Sequence, residues 1–136
     1  NWYNQQMIYA YTILYVLDVQ KTAEFYKQAF SFTEKFTTPE KDYAEMISGE
    51  TTIAFASHEL GETNFASGYK KSSPDEMPFG VELAFITEDI ENDFKKAVEA
   101  GASIVSDITE KPWGQKVSYL RDNNGFLIEI CTPVKQ

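Results

Sequence analysis

Three side chains in this sequence could do chemistry on their own, and none is accompanied by the neighbours that chemistry needs. His58 is the only histidine. Imidazole is a common metal ligand and a general base near neutral pH, but transition-metal sites gather several such ligands. A lone histidine opening a polar stretch reads as a surface or loop residue. Cys131 is the only cysteine. A nucleophilic thiolate needs a nearby base or cation, and no histidine lies close to it in sequence, so a buried structural thiol is expected. Trp113 sits in Lys111-Pro112-Trp113-Gly114-Gln115. An indole face can stack on flat or cationic ligands; the plainer alternative is that it packs the turn onto its sheet. There is no Gly-rich phosphate loop, no Ser nucleophile elbow and no CxxC pair.

The elements that must position these groups come in two similar runs. Ile8–Leu17 is rich in Tyr, Ile, Leu and Val, as strands are. Asp18 then precedes Ala23, Tyr26 and Phe30, whose spacing puts them on one helical face; its carboxylate is placed to cap that helix. Phe32–Thr37, Tyr43–Ser48 and Glu50–Ala56 read as strands. The second run repeats the order: strand Val81–Thr87, Asp89 as a cap, Ile90, Phe94, Ala97 and Val98 at helical spacing, and Gly101 as the stop. Ser103–Ile108, Gln115–Leu120 and Phe126–Cys131 follow as strands, with Asp122-Asn123-Asn124-Gly125 a strong turn signal. The order β-α-β-β-β thus occurs twice. The expected fold is α+β: two such modules forming curled mixed sheets around a cavity, in a single compact domain. We divide the chain into an N-terminal extension (1–6), a first module (7–56), a linker loop (57–80) and a second module (81–136). The linker carries Phe65, Tyr69 and Phe79 among Gly, Pro and charged residues. A loop this long is often functional, and its aromatics either cover a ligand or pin the loop to the core.

Composition excludes some partners. The 136 residues suit one domain. A net charge of -9 argues against nucleic acid, whose phosphates need a basic face. It suits a cationic ligand, or simply a soluble acidic surface. No apolar run is long enough to span a bilayer, and the start lacks the pattern of a signal peptide. With a single cysteine, no internal disulfide can form, and a cytoplasmic protein is the expectation. Eight Tyr and ten Phe must line a core, a pocket or an interface.

The duplicated order, together with Lys111-Pro112-Trp113-Gly114-Gln115, the hairpin Asp122-Asn123-Asn124-Gly125-Phe126-Leu127-Ile128-Glu129, and Asp18 followed by Glu24-Phe25-Tyr26, resembles the vicinal oxygen chelate superfamily. That group includes glyoxalase I, bleomycin-resistance proteins, fosfomycin-resistance enzymes and extradiol dioxygenases. The resemblance runs from about Ile8 to Val134. Ser31, in Phe30-Ser31-Phe32, departs from the glycine usual there.

Metal-dependent members of that superfamily are similar in placing His or Glu on the first strand of each module and another ligand on the last. Those positions map here to Tyr11, Glu82 and Glu129, with Ile53 opposite Glu129 in the first module. Only Glu129 matches outright. No cofactor is expected; a divalent metal held by Glu129 and Glu82 is the disfavoured alternative, because transition metals favour imidazole and an oxygen-only site suits a hard cation. Without metal, Tyr11, Glu82 and Glu129 are the candidate catalytic residues. Two close carboxylates raise one pKa, which would make a general base, with the Tyr11 hydroxyl as donor. The plainer alternative is a carboxylate paired to backbone or to Arg121. The resemblance implies, first, a metal-independent binding protein of the bleomycin-resistance kind. It would hold a small cationic or aromatic compound against Trp113, Tyr11, Phe65, Tyr69 and Ile53, as a homodimer. It implies, second, a glyoxalase-like lyase or isomerase, or a dioxygenase-like enzyme, acting on a small oxygenated compound. A third expectation is a regulatory subunit that keeps the fold without the site.

Overall fold

In the computed structural model, residues 6–134 are described; apart from Gln6, the expected N-terminal extension lies outside the described residues. The chain runs β1 (Thr12–Val16), α1 (Val19–Phe30), β2 (Thr33–Thr37), β3 (Tyr43–Ser48), β4 (Thr51–Ser57), α2 (His58–Asn64), β5 (Glu82–Ile86), α3 (Ile90–Ala100), β6 (Ser103–Glu110), β7 (Lys116–Arg121) and β8 (Leu127–Cys131). The β-α-β-β-β order therefore occurs twice, as the repeat predicts. One element was not expected. The linker opens with α2, because Ser57 accepts the Leu60 N–H at 3.2 Å and caps a helical turn that its polar sequence does not advertise.

Local chemistry sets the helix ends. Asp18 Oδ1 accepts the Lys21 N–H at 3.0 Å, so α1 starts where its cap predicts. It stops at Ser31, which takes the left-handed conformation (φ 62°) that glycine adopts without strain. α3 stops at Gly101 (φ 119°). Its start differs from expectation, since Asp89 makes no side-chain cap. Thr87 ties the entry to the first turn: its hydroxyl donates to Asp93 at 2.5 Å and accepts the Asp89 N–H at 3.0 Å.

The strands form two four-stranded sheets, β1-β4-β3-β2 and β5-β8-β7-β6. The β1/β4 and β5/β8 pairs are parallel, and the rest are antiparallel. The inner faces carry Leu14, Val16, Phe55, Ala44 and Met46 from the first sheet, with Ile128, Ile130 and Leu120 from the second. α1 lays Val19, Ala23, Tyr26 and Ala29 on this core and α3 lays Ile90, Phe94 and Ala97. The two helices pack on each other, and Phe85 meets the rings of Phe30 and Phe32 at 4.9 and 5.0 Å. Buried polar bonds also join the modules: the Tyr26 hydroxyl donates to Asp122 at 2.6 Å, and Asn124 Nδ2 donates to Thr22 at 2.9 Å. With both helices on inner faces, the opposite face of each sheet turns away from the joint core. The architecture is α+β with one core.

Candidate functional site

On β5 and β8, Glu82 lies opposite Leu127 and Ala84 opposite Glu129. Across the β7–β8 hairpin, Tyr119 faces Glu129 and Val117 faces Cys131. Side chains two apart along a strand share a face. Glu82, Glu129, Tyr119 and Cys131 therefore stand together on the outer face of the second sheet. Partial burial raises the Glu82 carboxyl, and its hydrogen bond to Glu129 and that group's charge raise it further. The Tyr119 hydroxyl is raised by burial and then by Glu129 and Glu82. Burial, reinforced by Glu129, pushes the Cys131 thiol up to about 11, so it is protonated at neutral pH and no nucleophile. This arrangement can hold a proton between two carboxyls, or exchange it for a cationic or hydrogen-bond-donating group.

The outer face of the first sheet is aromatic. Ile13 and Glu45 flank Ala54, and Tyr15 and Tyr43 flank Ala56. The Tyr43 hydroxyl donates to Glu45 at 2.7 Å and is pushed well up by burial, then by Glu45 and Tyr11. Linker rings fold back over the other end. Tyr15 meets Phe65 edge-on at 5.8 Å and Tyr69 at 5.3 Å, and Asn64 donates to the Tyr15 hydroxyl at 3.2 Å. The Tyr69 hydroxyl lies 2.7 Å from His58 Nδ1, over Gly61, where no Cβ would fit.

The residues singled out from sequence are thus dispersed. Glu82 and Glu129 come together. Tyr11, 41% exposed, immediately precedes β1 and lies beside Tyr43 rather than the carboxyl pair. Phe65 and Tyr69 pack on Tyr15. Trp113 is 59% exposed at the β6–β7 turn, its indole N–H donating to Gln115 at 2.9 Å, while Gln115 donates to the Thr132 carbonyl at 2.8 Å. Arg121 is no partner for Glu129. Its guanidinium donates to the carbonyls of Gly125, Ser73, Pro74 and Glu76 and straps the linker to the hairpin. Ile53 needs correction: it is 6% exposed on the inner face, and Ala54, not Ile53, occupies the position equivalent to Glu129. The two hairpins differ in length, Ser48 pairing with Thr51 across Gly49-Glu50 and Arg121 with Leu127 across Asp122–Phe126. Counting from the glycines therefore slips one residue, and a one-residue slip exchanges the faces of a strand. Tyr119, Tyr43 and Glu45 were missed from sequence. Alternation on β7 and β3 marks them as outward, but only the strand register brings them beside Glu129 and Tyr11.

The donors available do not fit a transition metal. Among the described residues, no three His, Cys, Asp or Glu side chains converge as a metal site, and the carboxyl pair has no imidazole beside it. A separate cleft of about 520 Å³ opens between the modules. Ile53 and Glu82 line it; Tyr11, Glu129, Trp113, Phe65 and Tyr69 do not. No helix among the described residues is long and apolar enough to cross a membrane.

The profile of the Glyoxalase/Bleomycin resistance protein/Dioxygenase superfamily matches residues 8–130. The uncharacterized protein YraH of Bacillus subtilis (strain 168) is 30% identical over 118 residues, which cover 86% of this chain and 91% of that protein. A glyoxalase-related enzyme from Fulvimarina pelagi has a similar fold, with a TM-score of 0.80 at 18% identity, covering 94% of this chain and 89% of that one. A glyoxalase/bleomycin resistance protein/dioxygenase family enzyme from Burkholderia phytofirmans PsJN gives a TM-score of 0.79 at 22% identity, covering 93% and 98%. The chain belongs to the Glyoxalase/Bleomycin resistance protein/Dioxygenase superfamily.

Proposed function

We propose that this member of the superfamily binds a small organic compound carrying a cationic or hydrogen-bond-donating group, on the outer face of its second sheet and without a catalytic transition metal. The observation that carries this reading is the Glu82–Glu129 carboxyl pair, facing outward beside Tyr119 with no imidazole near it. A carboxyl pair that shares a proton accepts a cation in its place. Tyr119 orients the Glu129 carboxylate, and Trp113 at the rim offers an aromatic wall. Benzamidine tests this against neutral benzamide by calorimetric titration at pH 7. Wild type is expected to prefer benzamidine, and Glu129→Gln to weaken it about tenfold or more, as loss of a charged hydrogen bond does. Equal binding of the two probes would sink the reading. Elemental analysis of the purified protein, with thermal-shift series for Ni, Zn, Mn, Fe(II) and Mg, tests the metal independence; a stoichiometric transition metal would overturn it.

The enclosure of this face is assigned to a second copy. Ile13, Phe36 and Ile86 are exposed on the outer faces of the two sheets, and Met7, Tyr9 and Tyr11 are exposed in the segment before β1. A homodimer covering these residues would wall a groove over both sheets. Sedimentation equilibrium is expected to give twice the chain mass; a monomer at high concentration would remove this part of the proposal.

One observation favours a second reading. The raised Glu82 carboxyl beside Glu129 is also the arrangement of a general base. This makes the protein a lyase or isomerase acting on a small oxygenated compound. An activity found in a substrate screen that survives both Glu82→Gln and Glu129→Gln would exclude it.

A further inference from the structure

The cleft between the modules adjoins the outer face of the second sheet and shares Glu82 with it. Phe30, Phe32 and Phe85 line it and already touch across the modules, Phe85 lying 4.9 and 5.0 Å from the other two rings, so the open volume lies beside this cluster, next to Ile53, Leu83 and Ile130. Protein interiors close to near-crystalline density. A volume of about 520 Å³ walled by such residues is far larger than a packing defect and falls in the range of small-molecule sites. The lining is mixed: these apolar side chains stand beside Thr12, Ser48, Thr51 and Thr52, and the apolar part favours an apolar ligand body.

The polar groups at the rim are not equivalent. Asp93 is engaged by the Thr87 hydroxyl at 2.5 Å, and Glu82 by its neighbour Glu129. Lys96 is the cation lining the cleft. Its ammonium donates to the Ser31 hydroxyl, and among the described residues it makes no ion pair with a carboxylate. An ammonium has three donors, so Lys96 keeps hydrogen-bonding capacity at the rim of the cleft, where Asp93 and Glu82 are the carboxylates in the same lining. We propose that this intermodule cleft is a second ligand site, which takes a small aromatic or branched aliphatic carboxylate with its apolar body against the packed rings of Phe30, Phe32 and Phe85 and its carboxylate on Lys96. Glu82, of the outer-face pair, also lines the cleft, so its charge would hold the ligand's carboxylate at the Lys96 end.

The probe is 3-phenylpropionate, titrated against its neutral amide and followed by amide NMR shifts. Saturable shifts are expected at Ser31, Phe85 and Lys96, with the carboxylate binding more tightly than the amide. Lys96→Met should weaken the carboxylate about tenfold or more and leave the amide unchanged, as removal of a charge-assisted bond does, while Lys96→Arg retains the preference. Thr51→Trp, at an exposed position on the cleft lining, should block both probes without unfolding the chain, which its circular dichroism checks. The absence of saturable shifts would overturn the proposal. So would carboxylate affinity unaltered in Lys96→Met, or a loss of affinity in Glu129→Gln alone, which would place the anion on the outer face. A dimer that shields the Ser31 and Phe85 amides from both probes would give the cleft to a second copy instead. Because the probe is an anion and the proposed outer-face ligand a cation, each proposal can fail while the other stands.

Discussion

Glu82 is expected to make stability depend on pH in the direction opposite to most carboxylates. Its carboxyl is raised in the folded chain by burial and by Glu129. Between the ordinary glutamate value and the raised one, the folded chain holds more protons than the unfolded chain, so stability falls as pH rises through that window. Glu82→Gln removes the ionisation without changing the shape. It should be more stable than wild type at neutral pH, with the advantage vanishing as the pH drops below the ordinary glutamate range. Urea denaturation at a series of pH values measures this; an advantage independent of pH would mean the carboxyls do not interact. The family resemblance made Glu82 and Glu129 visible as candidates, because it places ligands at fixed offsets from an Asp that precedes a helix or a Gly that turns a hairpin. It did not make Tyr119 visible. A tyrosine in a strand is ordinary, and only its pairing opposite Glu129 sets it apart.

At the scale of elements, two backbone positions can be tested. Ser31 closes α1 in the left-handed conformation. A residue with a Cβ is disfavoured there by about 1 kcal/mol, so Ser31→Gly should stabilise by about that amount in urea denaturation. A loss of stability would mean that the Ser31–Lys96 hydrogen bond outweighs the strain. Gly125 (φ 89°) lies under the linker, and a Cβ would stand 2.5 Å from the Ser73 carbonyl oxygen and 2.6 Å from Arg121 Nη2. Gly125→Ala should cost about 1–3 kcal/mol. It should also loosen the strap, read as faster hydrogen exchange at Glu76, whose N–H donates to the Ser73 carbonyl; unchanged exchange would show the strap holds without the glycine. These elements differ in how legible they are. The helix from Val19 to Phe30 follows from its apolar spacing and its Asp cap. α2 does not, because a short polar helix has no apolar stripe and depends on one serine hydroxyl and on the packing of Tyr69 against Gly61.

At the scale of the whole molecule, the Tyr26–Asp122 bond joins the helix of one module to the hairpin of the other inside the core. Both groups are buried, and burial raises the Asp122 carboxyl while Tyr26 and the backbone N–H groups of Phe126, Asn124 and Gly125 oppose that rise. Tyr26→Phe removes a hydrogen bond to a buried acid and should destabilise by about 2 kcal/mol. The denaturant dependence should stay a single transition, because both modules share one core; two separate transitions would show that they fold independently. The sequence by itself determined the duplicated strand–helix–strand order, the family and the candidacy of Glu82 and Glu129. These rest on local periodicity, caps and turn residues, whose physics spans a few positions. Tertiary structure alone decided that Tyr11 lies beside Tyr43 of the first sheet, apart from the carboxyl pair, that Ile53 points inward, that Arg121 holds the linker, and that a cleft remains between the modules. Each depends on hairpin length, strand register or the docking of α1 on α3. Those are set by the sum of many weak long-range contacts, and no single stretch of the chain encodes them.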